Sequence, residues 1–245
     1  MKKLVAYITT GFPDKNFTKD VAFALKEAGA DILELGIPFS DPVADGPVIE
    51  EANLKSLQNG FKMEDLFEIS KEITPKIDTL WMGYFNSFYQ KGVENISKIA
   101  EDAGVSGFII PDLPHEEAMI YKPVMKNHKL SLISFVAPTD SKERIKEVVK
   151  DSEKFIYLVA YAGITGSGTS EDLSSVIANI RENSDTEVFV GFGVNEKSAK
   201  EKAKGVDGVI VGSSFVKVLL DDSLSNSQKI EEIARIAKVI KESIN

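Results

Sequence analysis

Cysteine is absent from the 245 residues, and there are only two histidines and one tryptophan. Without thiols the chain has no disulfides, no thiolate metal site and no cysteine nucleophile. His115 and His128 belong to no histidine–carboxylate cluster, so no metal centre is expected, and nothing resembles a Ser–His–Asp constellation. Basic residues are in deficit, 29 against 38 acidic ones, for a net charge of −9. That balance argues against nucleic acid, whose binding needs Lys and Arg to neutralise phosphates. An anionic small ligand would have to be held by local donors, because salt confines long-range fields to ~8 Å. No apolar run approaches the ~18 residues that span a membrane. The opening MKKLVAYITTGFP lacks a small-residue cleavage site and runs straight into a strand pattern. A signal peptide is therefore not expected, and the cytoplasm is the expected compartment.

What is present is a repeated alternation. Strand-like runs occur at 4–10, 30–37, 78–85, 105–113, 130–138, 154–162, 186–194 and 206–214. Amphipathic periods fall between them, at 17–29, 92–104 and 141–153, and a last one at 228–244 closes the chain. The joints EAGAD, DAGVS and KGVDG place a glycine after a helical turn and directly before a strand. Eight strands alternating with helices imply a parallel sheet. At this length the pattern predicts a closed (β/α)8 TIM barrel, a single domain over 1–245, rather than an open doubly wound sheet. No glycine fingerprint follows the first strand, which weakens a dinucleotide-binding alternative.

In such barrels the chemistry sits where strands end. Glu34 lies near the end of the second strand, on the face shared by Ile32 and Gly36. A lone carboxylate on a buried strand costs several kcal/mol unless it is paired, hydrogen-bonded or protonated. It is either a satisfied core residue or a functional one. Asp41 and Asp45 follow in a loop stiffened by Pro38 and Pro42, although Asp-Pro and Asp-Gly are also ordinary turn dipeptides. The last three strands end in GITGSGTS, GFGV and GSS, where glycines let backbone N–H groups approach a ligand. With SSFVKVLLDD as a short extra helix, these ends suit a phosphate held by amides and hydroxyls. The third strand's Met82, beside Trp81, Tyr84 and Phe85, is expected to be mostly core, with its end lining a cavity.

The stretch LELGIPFSDPVADGP resembles the hallmark of tryptophan synthase α subunits. ITTGFP, MGYFN, PDLP, APTD, AGITG, GFGV and VGSS follow in that family's order, so the resemblance covers nearly the whole chain. It implies a (β/α)8 barrel that splits indole-3-glycerol phosphate into indole and glyceraldehyde 3-phosphate. No cofactor is implied in this chain; pyridoxal phosphate would belong to a β subunit, with which the family forms an αββα assembly. On this resemblance Glu34 is the acid–base carboxylate and Asp45 the carboxylate that binds the indole N–H. Tyr7, Met82, Phe135, Tyr157 and Phe192 surround the indole, and Thr165 lies in the closing loop. Gly166, Gly193, Gly212 and Ser213 contact the phosphate. Pro42 and Pro114 match partner-facing positions.

Two departures stand out. Family members carry a short helix ahead of the first strand, whereas here that strand begins near Leu4, so the helix is missing or replaced. Tyr161 stands where many members have Arg in the strand-six loop. A stand-alone lyase that releases free indole is the main alternative. Another phosphosugar barrel would show a Schiff-base lysine or metal ligands at strand ends, and a non-catalytic subunit would be free to lose Glu34 or Asp45.

Overall fold

The computed structural model describes residues 1–160 and 173–245. The chain starts with β1 (Lys3–Thr9), α1 (Lys15–Glu27) and β2 (Ile32–Gly36), then two helices, α2 (Pro47–Gln58) and α3 (Met63–Ile73). Next come β3 (Asp78–Met82), α4 (Phe85–Lys91), α5 (Val93–Asp102), β4 (Gly107–Ile109) and α6 (His115–Asn127). Two short strands, β5 (Ser131–Leu132) and β6 (Ser134–Val136), precede α7 (Lys142–Val149) and β7 (Phe155–Val159). The remainder is α8 (Ser174–Asn183), β8 (Glu187–Gly191), α9 (Ala199–Lys202), β9 (Gly208–Val211), α10 (Ser213–Leu219) and α11 (Asn226–Ser243).

All strand pairs are parallel, in the order β5-β4-β3-β2-β1-β9-β8-β7-β6. The expected eight strand positions are thus present, and the fifth is divided. Its first piece pairs with β4 and its second with β7, so the ring closes through one chain segment rather than one continuous ladder. The cause lies next door: Pro111 offers no N–H, the chain turns at Ile110–Leu113, and β4 is only three residues long. The last bond across that seam runs from the Ile133 N–H to the Phe108 carbonyl, 3.0 Å.

Strand alternation sorts the side chains. Leu33, Leu35, Phe108 and Leu158 face the helices and join the large outer core. Val5, Ile32, Leu80, Ile109, Phe155, Phe189 and Ile210 fill the barrel's interior. The expected glycine joints appear as left-handed residues, Gly29, Gly104 and Gly205, each just past a helix. At the barrel's floor Phe155 and Phe189 stack at 4.5 Å. Ion pairs Lys3–Glu187, Lys154–Asp78, Arg181–Asp207 and Lys241–Asp31 join the strand starts around them. Asp31 also accepts the Leu4 N–H at 2.7 Å, and the Lys241 ammonium donates to the Lys2 carbonyl at 2.8 Å. The end of α11 therefore covers the floor.

Candidate active site

Glu34 points into the barrel from β2, opposite Tyr7 on β1 and Leu80 on β3. It is only 2% exposed, and its Oε1 has no hydrogen-bond partner among the described residues. Burial first, and then the nearby charge of Asp45, push its carboxyl up to about 8. No cation pairs with it among the described residues. Protonation answers the cost of burial and leaves an acid on a cavity wall.

Asp45 is held by its neighbours. The Tyr84 hydroxyl accepts the N–H groups of Ala44 and Asp45 at 3.0 and 3.1 Å. Its ring stacks on Phe39 at 5.2 Å, so both ends of this loop rest on one buried tyrosine. Asn53 of α2 donates to Asp45 Oδ2 at 3.3 Å. Burial raises the Asp45 carboxyl to about 6, against the lowering effect of its bonds to Tyr84 and Asn53. The loop is therefore drier than its polar sequence suggests, yet Asp45 remains an anion at pH 7. Asp41 is exposed and bonded by Ser40, a turn residue outside the cavity.

These carboxylates open into a cavity of about 650 Å³ at the carboxyl ends of the strands. Its wall brings together Tyr7, Glu34, Asp45, Met82, Phe135, Tyr157, Phe192, Gly193, Gly212 and Ser213. The two other residues expected at the site, Thr165 and Gly166, lie outside the described residues, as does Tyr161. One side of the cavity is aromatic: Phe135 stacks on Tyr157 at 5.0 Å, and Phe192 meets the Tyr157 edge at 6.2 Å. Gly193, Gly212 and Ser213 also line it, with Ser213 opening α10 as the expected short helix. Lys197 and Lys217 line the same cavity, so ammonium groups join the amides there.

Two glycines make room for two tyrosines. A Cβ on Gly36 would lie 2.2 Å from the Tyr7 hydroxyl, and one on Gly191 would lie 2.3 Å from that of Tyr157. Each glycine sits on the next strand, two residues beyond the point where the tyrosine is paired. Burial holds both hydroxyls protonated well past their usual range. Sequence reasoning missed Tyr84 and Asn53, which touch Asp45 from other elements; only the motif MGYFN marked the first. His128 is a surface residue bonded to Glu101 and Glu94 at 2.9 and 3.0 Å. No group of residues able to hold a metal ion occurs among the described residues.

A parallel barrel with two carboxylates of unequal acidity at its strand ends, beside aromatic rings and a glycine-lined end, has the layout of a barrel enzyme. The family model for the tryptophan synthase alpha chain matches residues 1–245. The tryptophan synthase alpha chain of Wolinella succinogenes is 58% identical over 246 residues, covering 100% of this chain and 96% of that one. Among solved structures, the alpha subunit from Campylobacter jejuni superposes with a TM-score of 0.87 at 34% identity, covering 96% and 95% of the two chains. An aminoacrylate-bound tryptophan synthase from M. tuberculosis gives 0.88 at 29% identity, with 100% and 94% covered. The chain belongs to the tryptophan synthase alpha chain family. It is a lyase of tryptophan biosynthesis that cleaves indole-3-glycerol phosphate to indole and glyceraldehyde 3-phosphate.

Proposed function

We propose that this cleavage takes place in the 650 Å³ cavity, with Glu34 as the proton shuttle and Asp45 as the anion facing the indole N–H. The observation behind it is a buried carboxyl on the cavity wall, its Oε1 unbonded among the described residues, which burial pushes up to about 8. The bond to break joins the indole C3 to the carbinol carbon of the side chain. Indole is a poor carbanion, so C3 must first gain a proton. Glu34 carries its proton at neutral pH and can deliver it. The positive charge then spreads to the ring nitrogen, where Asp45 stabilises it. As the C–C bond breaks, its electrons restore the aromatic ring. The carbinol O–H loses its proton to the Glu34 carboxylate and becomes the aldehyde. One proton is given and one is taken, and Glu34 ends as it began.

Tyr7, Met82, Phe135, Tyr157 and Phe192 are assigned to the ring, and Gly193, Gly212 and Ser213 to the phosphate. Thr165 and Gly166 are assigned by resemblance alone. The chemistry draws only on side chains of this chain; pyridoxal phosphate is assigned to the β subunit. An αββα assembly in the cytoplasm is the proposed setting. Large exposed apolar side chains fall on three successive βα units, with Val43 and Leu54 on the second, Tyr89 on the third and Ile120 on the fourth. That is an apolar supply suited to a protein partner. The test is turnover of indole-3-glycerol phosphate by the purified chain and by Glu34→Gln, each with and without a β subunit. Retained turnover in the variant overturns the assignment of Glu34.

A further inference from the structure

The divided fifth strand leaves a gap in the barrel wall. Above Ile133, β6 is bonded to β7 only, and β4 has already ended. A second cavity of about 310 Å³ occupies that gap, backed by α6 and α7. Phe135 and Pro111 line both this cavity and the larger one, so the two cavities adjoin at these residues. The volume suits a small ligand.

The chemistry of the lining narrows the ligand. Leu132, Val136, Val148, Val159 and Ala118 supply an apolar surface. The charged residues around it are already engaged. Arg144 pairs with Glu116, Lys122 donates to the Asp151 carbonyl, and Asp140 accepts the Ala137 N–H at 2.7 Å. Asp112 accepts the Phe85 N–H at 2.8 Å. A phosphorylated or otherwise anionic ligand would find both cations already paired, Arg144 with Glu116 and Lys122 with Glu153. Among the described lining residues, the His115 ring and the Ser134 hydroxyl have no hydrogen-bond partner. Burial, and then the Arg144 charge, hold the His115 ring below the usual histidine range, so it is neutral at pH 7 and presents an acceptor nitrogen.

We propose that the gap cavity is a second binding site, for a neutral aromatic heterocycle with one N–H donor, and that its ligand is the indole released in the adjoining larger cavity. This rests on the reading of the larger cavity as the place of cleavage. An apolar ring buried against Val136 and Val148 with its N–H on His115 pairs the unengaged ring nitrogen with the only polar group of such a ligand.

The test is indole binding, by calorimetry, to the full chain saturated with indole-3-propanol phosphate, an analogue that lacks the hydroxyl needed for cleavage. Gly212→Val reports first whether the analogue occupies the larger cavity: weakened analogue binding supports that reading, and unchanged binding refutes it before indole is added. On the saturated chain one further indole per chain is expected. Ala118→Trp, which fills the gap, should weaken it at least tenfold, and His115→Leu at least threefold. Absence of saturable indole binding overturns the proposal. So does an unchanged affinity in His115→Leu, which alone decides the matter if Ala118→Trp fails to fold.

Discussion

At neutral pH a carboxyl that titrates at about 8 carries its proton, whereas one at about 6 has lost it. Glu34 and Asp45 are therefore an acid and an anion in the same cavity, from two residues of nearly equal intrinsic acidity. The proposed chemistry needs that division, so kcat/KM should follow a bell, falling below about 6 and above about 8. Asp45→Asn should abolish the acid limb; its persistence would assign that limb to another group. Glu34→Gln should lower turnover by at least ~10²-fold, more than Asp45→Asn does. The same burial has a price in stability. Glu34 binds its proton more tightly folded than unfolded, so its contribution is fully present below its ordinary value of 4.5 and is lost as pH rises through about 8. Glu34→Gln should consequently melt higher than the parent at pH 9 and nearly the same at pH 5. A melting difference that does not grow over this range would show that the carboxyl is not held protonated. Tyr84 acts on this pair through Asp45. Tyr84→Phe leaves two N–H groups without their acceptor and should cost ~1–3 kcal/mol by urea denaturation, with kcat/KM falling and the basic limb unmoved.

Elements differ in how plainly they announced themselves. The eight strand positions were legible because buried parallel strands are apolar runs bounded by glycine joints, and Gly29 and Gly104 do take the expected left-handed turn. The division of the fifth strand was not legible. Its side chains keep their alternation, Ile133 inward and Leu132 and Val136 outward, and only the ladder changes partner. Its cause is in another element, at Pro111. The helices α2 and α3 went unread because two consecutive helices stand where the repeat calls for one. Glu34 and the glycine ends stood out in the sequence since each breaks a local rule, whereas Asp45, in an ordinary Asp-Gly turn, was marked only by the family resemblance. Tyr84 and Asn53 obey local rules and act only through contacts across the fold. The glycine–tyrosine pairs likewise need the strand register, and they can be tested. Gly191→Ala sets a Cβ against the Tyr157 ring and should cost ~1–3 kcal/mol while raising KM, as the ring moves into the cavity. Gly46→Ala, whose Cβ meets nothing within 4 Å, should change stability by less than ~1 kcal/mol. Equal behaviour of the two variants in thermal melts would refute the packing argument.

For the whole molecule the question is where the indole goes. It is small, neutral and apolar, and a cavity open to solvent would lose it before a second enzyme could use it. Long-range fields give no help, because the net charge of −9 acts on ions and indole carries none. Beyond the proposed gap site, retention must come from closure and from contact with a partner. The loops after β2 and β4 carry Pro42 and Pro114 and reach the cavity wall at Asp45 and Pro111, and Asp45 is fixed to Tyr84 and Asn53. If a β subunit docks on these units, as proposed, it presses on the loop that sets the Asp45 geometry. If docking favours the arrangement that binds substrate, linkage requires substrate to favour docking by the same factor. Couplings of this kind are typically ~1–3 kcal/mol, about 5–150-fold in affinity. The isolated chain should therefore turn over slowly and speed up on adding a cognate β subunit. Its association with that subunit should tighten by a matching factor when indole-3-propanol phosphate is present. Analytical ultracentrifugation with and without the analogue measures the second quantity, and titration of turnover against β subunit the first. Fast turnover by the lone chain, with no complex under either condition, would make it a stand-alone lyase. Tyr84→Phe supplies the link between the scales: by freeing the loop from its anchor it should reduce the enhancement by β subunit more than the basal rate.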